Sequence, residues 1–316
     1  MRAPLVLGLF AVLGSCAPFP QIFLRNAFQI PERAQVVGGR ITEPVRPGAE
    51  LAVLWVGHAT VLLQMGERQI LTDPVFVHRV GQLSPRLVEP GLDPADLPPV
   101  DACLISHMHF DHLSLGSLDL IEERVGHLFL PRGGLPYVPR RSHPVDTLGP
   151  WEGMTVAGDV RVTAVPVDHE GYRYGLDASW MEGGFTGYVV EHAGLTVYFG
   201  GDTAYDQALF QATRERFGSI DLALLPIGPI APRDFMEKTH VDADEAVRAF
   251  LDLGAETMIP IHYGTFMHGL DTPEGPLLAL REAVARHGVE ASRVRALAIG
   301  EQVVLRGPGV APGEAR

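Results

Sequence analysis

Four short apolar runs in this chain each end on histidine or aspartate. "ACLIS" leads into His107, His109, Asp111 and His112 within "HMHFDH"; "VTAVPVD" leads into His169; "LTVYFGG" leads into Asp202; "TMIPI" leads into His262. Runs of this length, rich in Val, Ile and Leu, read as buried strands. In α/β sheets, ligand sites gather at the carboxyl edge of the strands. One loop histidine is ordinarily just solvated, but four such coincidences are hard to attribute to composition. In extended backbone His107 and His109 project to the same side, so both can grip one ion. Asp111 and His112 come where the chain turns into a helix and aim at a second position. Imidazoles and carboxylates without a thiolate suit zinc, with manganese or iron as alternatives. Seven ligands exceed one tetrahedral site and suit two ions with one bridging carboxylate.

The rest of the chain supplies a core for such a site. Its 316 residues are 46% hydrophobic, and 35 glycines and 26 prolines predict many turns without a low-complexity segment. The formal net charge is −13 with no basic block, which argues against a nucleic-acid partner. "MRAPLVLGLFAVLGSCAPFPQ" has one early cation, Arg2, then an apolar run that suits a signal peptide and is too short to span a bilayer. "LGSC" resembles a bacterial lipoprotein cleavage box, with residues 1–15 removed and Cys16 lipidated; the alternative is an ordinary secretory signal with Cys16 as a bystander. The lipoprotein reading predicts a bacterial cell-envelope location, as an outer-membrane lipoprotein facing the periplasm or the surface. Cys103 is the only other cysteine, so no disulfide is expected. Residues 16–48 read as a tether and wrapping segment, 49–306 as the one folded domain that carries the candidate ligands, and 307–316 as a flexible tail.

Strand-like runs "LAVLWV" and "TVLLQM" flank Gly57-His58, and "MGER" turns into "QILTD". Residues 77–99 read as a proline-rich loop. "VDACLIS" predicts a strand and "LSLGSLDLIEER" a helix. "HLFLP", "MTVAG", "VRVTAVPV", "FTGYVVEH" and "LTVYFGG" predict further strands. Asp242 with Glu245 predicts a capping box, and Gly254 a stop. A last helix opens at Thr272-Pro273 and closes at Gly288. Sheets come first, then strands alternate with helices, so an α/β class with helices covering a sheet-rich core fits.

The pattern His-x-His-x-Asp-His with a later His, Asp and His resembles the metallo-β-lactamase superfamily. "WVGHATVLLQM", "LTDPVF", "DACLISHMHFDHL", "GGDTAY", "LLPIGPIAPRDFM", "HVDADEAV" and "IPIHYGTF" are similar to the branch of N-acylphosphatidylethanolamine phospholipase D and, more distantly, ascorbate-6-phosphate lactonase. The resemblance runs from about residue 51 to about 268. It implies an αββα sandwich, two mostly antiparallel central sheets flanked by helices, with a dinuclear site at one edge. It also implies that His107, His109 and His169 hold the first zinc, that Asp111, His112 and His262 hold the second, and that Asp202 bridges. Asp73 in "LTDP" matches a buried aspartate that orients a ligand histidine. His58 in "GHAT" and His240 in "KTHVD" match positions near the metals. His58 also reads as a tight-turn residue, and His240 as a residue preceding a helix cap. The stretch "EGYRYGLDASWMEGGF" departs from the branch, and Tyr172, Tyr174, Trp180 and Phe185 read either as an acyl pocket or as loop packing.

The implied activity is dinuclear metal-dependent hydrolysis of a small-molecule or lipid substrate. Asp111 would ligate and shuttle the proton, with His240 as a second catalytic residue. A phosphodiester leads as substrate class, a lactone or other carboxylic ester follows, and a non-catalytic metal-binding surface lipoprotein is the alternative outside enzymes.

Overall fold

The computed structural model describes residues 34–308 apart from 39, 82, 83 and 180. The leader with Cys16, the tether up to residue 33, Trp180 and residues 309–316 lie outside the described residues. The strands are β1 (Leu51–Gly57), β2 (Thr60–Met65), β3 (Arg68–Thr72), β4 (Arg79–Val80), β5 (Ser84–Pro85), β6 (Ala102–Leu104), β7 (Leu128–Pro131), β8 (Val145–Leu148), β9 (Gly153–Val156), β10 (Val160–Val165), β11 (Gly187–His192), β12 (Leu195–Phe199), β13 (Leu222–Pro226), β14 (Thr257–Ile261) and β15 (Gln302–Arg306). The helices are α1 (Leu115–Leu120), α2 (Gln207–Phe217), α3 (Arg233–Met236), α4 (Ala243–Leu253) and α5 (Gly275–Arg286).

One sheet runs β15-β1-β2-β3-β6-β7-β8 and the other β14-β13-β12-β11-β10-β9, with β4 and β5 forming a small ribbon. Each large sheet is divided. From β15 to β3, and from β9 to β12, neighbours are antiparallel. From β3 to β8, and from β12 to β14, they are parallel. The connections explain the division. Short turns join β1 to β2, β2 to β3, β9 to β10 and β11 to β12, whereas α1, α2 and α4 fall within crossovers between parallel strands. The parallel halves carry most of the predicted site residues at their carboxyl ends.

β1 is buried on both faces, which is why it reads as an unbroken apolar run. Its Leu51, Val53 and Trp55 join the core shared with Val162, Tyr188 and Phe199 of the other sheet. Its Leu54 and Val56 join a second cluster with Leu118 and Ile121, under α1. Phe210, Phe250 and Leu280 from α2, α4 and α5 extend the main core on the far side. The layers are therefore helix, sheet, sheet, helix, as expected.

Local signals mostly act where the residues place them. Asp242 and Glu245 form a reciprocal capping box, and Gly254 closes α4 with φ 63°. α5 starts at Gly275 with Pro276 in its first turn, because Thr272 accepts from the Gly275 amide at 3.0 Å in the turn before it. β6 is shorter than "VDACLIS", because the Ser106 amide leaves the sheet and donates to Asp73 Oδ1 at 2.7 Å. Among the described residues no helix is long and apolar enough to cross a membrane.

Candidate metal centre

The segments that follow β3, β6, β10, β12 and β14 converge on one edge of the sandwich, bringing Asp73, His107, His109, Asp111, His112, His169, Asp202 and His262 together. His58, from the β1–β2 turn, joins them. With His240 and His268, eight of the chain's 13 histidines crowd into this region.

Two ligand groups are distinguishable. His107, His109 and His169 form the first, their ligand atoms all within 4.8 Å of one another. His107 Nε2 lies 2.9 Å from His109 Nδ1, so the two rings offer different nitrogens to one point. Asp111, His112, His262 and His58 form the second. There His112 Nε2 and His262 Nε2 are 3.2 Å apart, and Asp111 Oδ2 is 3.4 Å from the former and 3.6 Å from the latter. Asp202 sits between the groups. Its Oδ2 is 3.3 Å from His112 Nε2, 3.2 Å from His262 Nε2 and 3.9 Å from His107 Nε2.

Four of the histidines, His107, His112, His169 and His262, are aimed by a bond on the far nitrogen. Asp73 Oδ2 meets His112 Nδ1 at 2.6 Å, and the Ser106 hydroxyl both donates to that carboxylate at 2.6 Å and lies 2.9 Å from His107 Nδ1. One buried aspartate thus steadies ligands of both groups, more than the single histidine expected of it. His262 Nδ1 bonds the Gly228 carbonyl and His169 Nδ1 the Thr239 carbonyl, each at 2.8 Å. Such partners fix the tautomer and present Nε2 to the ion. Gly201 (φ 59°) lets Asp202 approach, since a Cβ there would stand 2.4 Å from Ser106 Cβ. His58, Asp73 and His262 are themselves left-handed, with φ 57°, 32° and 63°, and make up three of the six non-glycine residues with positive φ among the described residues. Strain of this kind concentrates at functional sites.

The electrostatics differ between the groups. Burial pushes His107, His109 and His169 below the ordinary histidine range, and neighbouring imidazoles add to the effect. Burial also opposes charge on His112 and His262, but Asp202 and Asp111 outweigh it. His112 is held well above its usual value and His262 is raised to about 9. Burial likewise disfavours the Asp111 and Asp202 carboxylates, yet nearby histidines hold both well below the usual range.

These residues fit a pair of metal ions. Two imidazole nitrogens at 2.9 Å and another two at 3.2 Å need a proton or a cation to reconcile them. His169 Nε2, Asp202 Oδ1 and His240 Nδ1 are buried without a hydrogen-bond partner. A cation near Asp202 satisfies that requirement.

A cleft of about 520 Å³ opens onto Asp111, Asp202 and His262. His240 lines it, with Nδ1 3.6 Å from Asp202 Oδ2, and Asp242 rather than His240 caps α4. His58 is both a turn residue and a site residue, with Nε2 3.0 Å from Asp111 Oδ2. Tyr172 lines the cleft, whereas Tyr174 packs on Phe110 and Tyr137, and Phe185 bridges the His107 backbone. His268 escaped the sequence reading. Its Nδ1 lies 3.1 Å from Asp111 Oδ2 and it lines the same cleft, but it follows no strand and its spacing from His262 matches no ligand pattern.

Comparison with known proteins agrees with this architecture. Residues 68–263 match the family described as the beta-lactamase superfamily domain. A metal-dependent hydrolase of Anaeromyxobacter sp. (strain K) is 32% identical over 76% of this chain and 84% of its own length. N-acyl-phosphatidylethanolamine-hydrolyzing phospholipase D 1 of Caenorhabditis elegans is 30% identical over 69% of this chain and 65% of its own. The chain spans about 65% of the length of the first curated relatives it matches. The solved structure of Igni18, a metallo hydrolase of Ignicoccus hospitalis, superposes with a TM-score of 0.60 at 21% identity, covering 80% of this chain and 97% of that one. With a family match over most of the domain and a relative largely covered at 32% identity, the chain belongs to the metal-dependent hydrolases of the metallo-β-lactamase superfamily.

Proposed function

We propose that this protein is a dinuclear zinc phosphodiesterase, acting on a phospholipid-like diester in the manner of phospholipase D. The observation that carries the reading is Asp202, poised within 3.9 Å of ring nitrogens from both ligand groups beneath an open cleft. The relatedness to the Caenorhabditis elegans phospholipase supports the substrate class. His107, His109 and His169 would hold one ion, and Asp111, His112 and His262 the other, with Asp202 shared. A metal pair held by these residues would supply a water of lowered pKa and positive charge opposite the phosphoryl oxygens.

The chain's own residues then divide the work. Asp111 faces the cleft as a carboxylate and takes the proton from the attacking water. The water oxygen bonds to phosphorus, the phosphorus–oxygen bond to the leaving alcohol breaks, and Asp111 returns the proton to the departing alkoxide. His58 and His268 fix the orientation of Asp111 from two sides. Burial lowers His240 to about 4, so it is neutral at pH 7 and offers a hydrogen bond to a developing oxyanion rather than a charge. A lactone or carboxylic ester is the second reading, since the same groups would serve a tetrahedral oxyanion.

Purified protein should carry close to two zinc ions per chain and hydrolyse bis(p-nitrophenyl) phosphate in a chelator-sensitive way. Fewer than one ion after metal-supplemented growth, or turnover of lactones with none of phosphodiesters, would sink the proposal. For location, we infer that lipidated Cys16 anchors the protein to the outer membrane. Equal membrane retention and processing of Cys16→Ser would defeat that idea.

A further inference from the structure

Of the 25 Lys and Arg residues in the chain, all but one are arginine, and the one lysine is Lys238. It lines the metal cleft with Asp111, Asp202, His240 and His262. Arginine's planar fork suits fixed ion pairs, and the chain uses it so: Arg233, on the same segment, meets Asp242 and Glu245. Lys238 is exposed, and among the described residues no carboxylate pairs with its ammonium. Lys238 therefore offers the cleft a compact ammonium whose coordination a ligand can complete.

The backbone beneath it is rigid. The Met236 carbonyl accepts from the amides of Thr239 at 3.0 Å and His240 at 2.8 Å, and Arg233 Nη1 donates to the His240 carbonyl at 2.8 Å. One short segment thus presents Phe235, 42% exposed, then Lys238 and His240, to the same cleft. The acidic groups there have other partners. Asp111 and Asp202 belong to the histidine cluster, and Glu170 accepts from the Tyr172 hydroxyl, whose pKa burial and that bond push up to about 12.

We infer that Lys238 binds the anionic phosphate group of the substrate at the mouth of the cleft, with the Phe235 ring beside it for the apolar part. This rests on the phosphodiesterase reading and names the residue that selects an anionic over a neutral substrate. Lys238 touches substrate and not the metals, so its loss acts on substrate affinity.

Two measurements decide it on the zinc-loaded full chain. Lys238→Met should raise KM for an anionic phosphodiester tenfold or more with a smaller change in kcat, and Lys238→Arg should regain most of the affinity. Zinc content should be unchanged in both. Equal KM in Lys238→Met, or a fall confined to kcat, overturns the inference. The second measurement needs no turnover. Reductive methylation with 13C-formaldehyde labels one lysine side chain and keeps its charge, and the Lys238→Arg spectrum assigns the signal. Titration with inorganic phosphate should shift that signal saturably, while chloride should not. An unmoved signal overturns the Lys238 assignment even if diesters are hydrolysed. A shift in a protein that hydrolyses no diester upholds Lys238 as an anion site and refutes the phosphodiesterase.

Discussion

The two ligand groups are built from the same side chains to opposite electrical ends. His107, His109 and His169 have no carboxylate of their own and are kept neutral by burial. His112 and His262 sit beside Asp202 and Asp111, which favour their charged forms, raising His112 well above its usual value and His262 to about 9. The first group is ready for a cation as it stands. The second must release protons before a cation can enter. One half of the centre is therefore organised by shape, and the other is balanced by charge that protons supply when metal is absent.

The largest test of this contrast is Asp111→Asn. It keeps the size and one oxygen but loses charge and basicity. Turnover should fall by ~10²–10⁴-fold and stay low when excess zinc restores both ions. Full recovery with zinc would leave Asp111 as a ligand only and move proton transfer elsewhere, with His240 next in line. Asp73→Asn should weaken zinc binding by about 10–100-fold and be rescued by added zinc, because Asp73 orients ligands without touching substrate. Since it supports His112 directly and His107 through Ser106, both ions should weaken, the second more. Selective loss of the first ion would break the proposed division.

Proton release follows from the same asymmetry. With His262 raised to about 9 by Asp202 and Asp111, a second zinc ion bound there would displace its proton at pH 7. Calorimetry in buffers of different ionisation enthalpy should show little release for the first equivalent and about one proton or more for the second. Affinity for the second ion should rise by roughly tenfold per pH unit for each proton released, and the His262 contribution should vanish above about pH 9. Equal release for both equivalents would contradict the contrast. The smallest effect is expected from His268→Leu, which removes one of the four histidines around Asp111 Oδ2. Binding of the second ion should weaken by about threefold to tenfold, with the first unaffected.

The seven ligands of both groups were legible in sequence, because each follows an apolar strand and the rule that finds strands also finds them. His268 and Ser106, which support them, were not. His268 lies in a loop after no strand, and Ser106 is an ordinary serine until the fold brings Asp73 beneath it. β15 pairs with β1 across most of the chain, and nothing local in "QVVLR" announces that partner. α2 has only Phe210 and Thr213 buried, so "QALFQATRERF" shows almost no apolar face. The capped helix α4, by contrast, carries both its end signals and a strong stripe, and was found whole. What local chemistry encodes was readable; what depends on a distant neighbour was not.

His58, Asp73 and His262 hold left-handed backbone without being glycine. That conformation costs an L-residue about 1–2 kcal/mol. Glycine would relax the backbone at these positions, but it would also delete a buried side chain, and the cavity and orphaned partners left behind outweigh the relief. A thermostability screen of this protein should therefore leave 58, 73 and 262 unchanged: the strain there is locked in by the very contacts that aim the site, so stability and site geometry are inherited together.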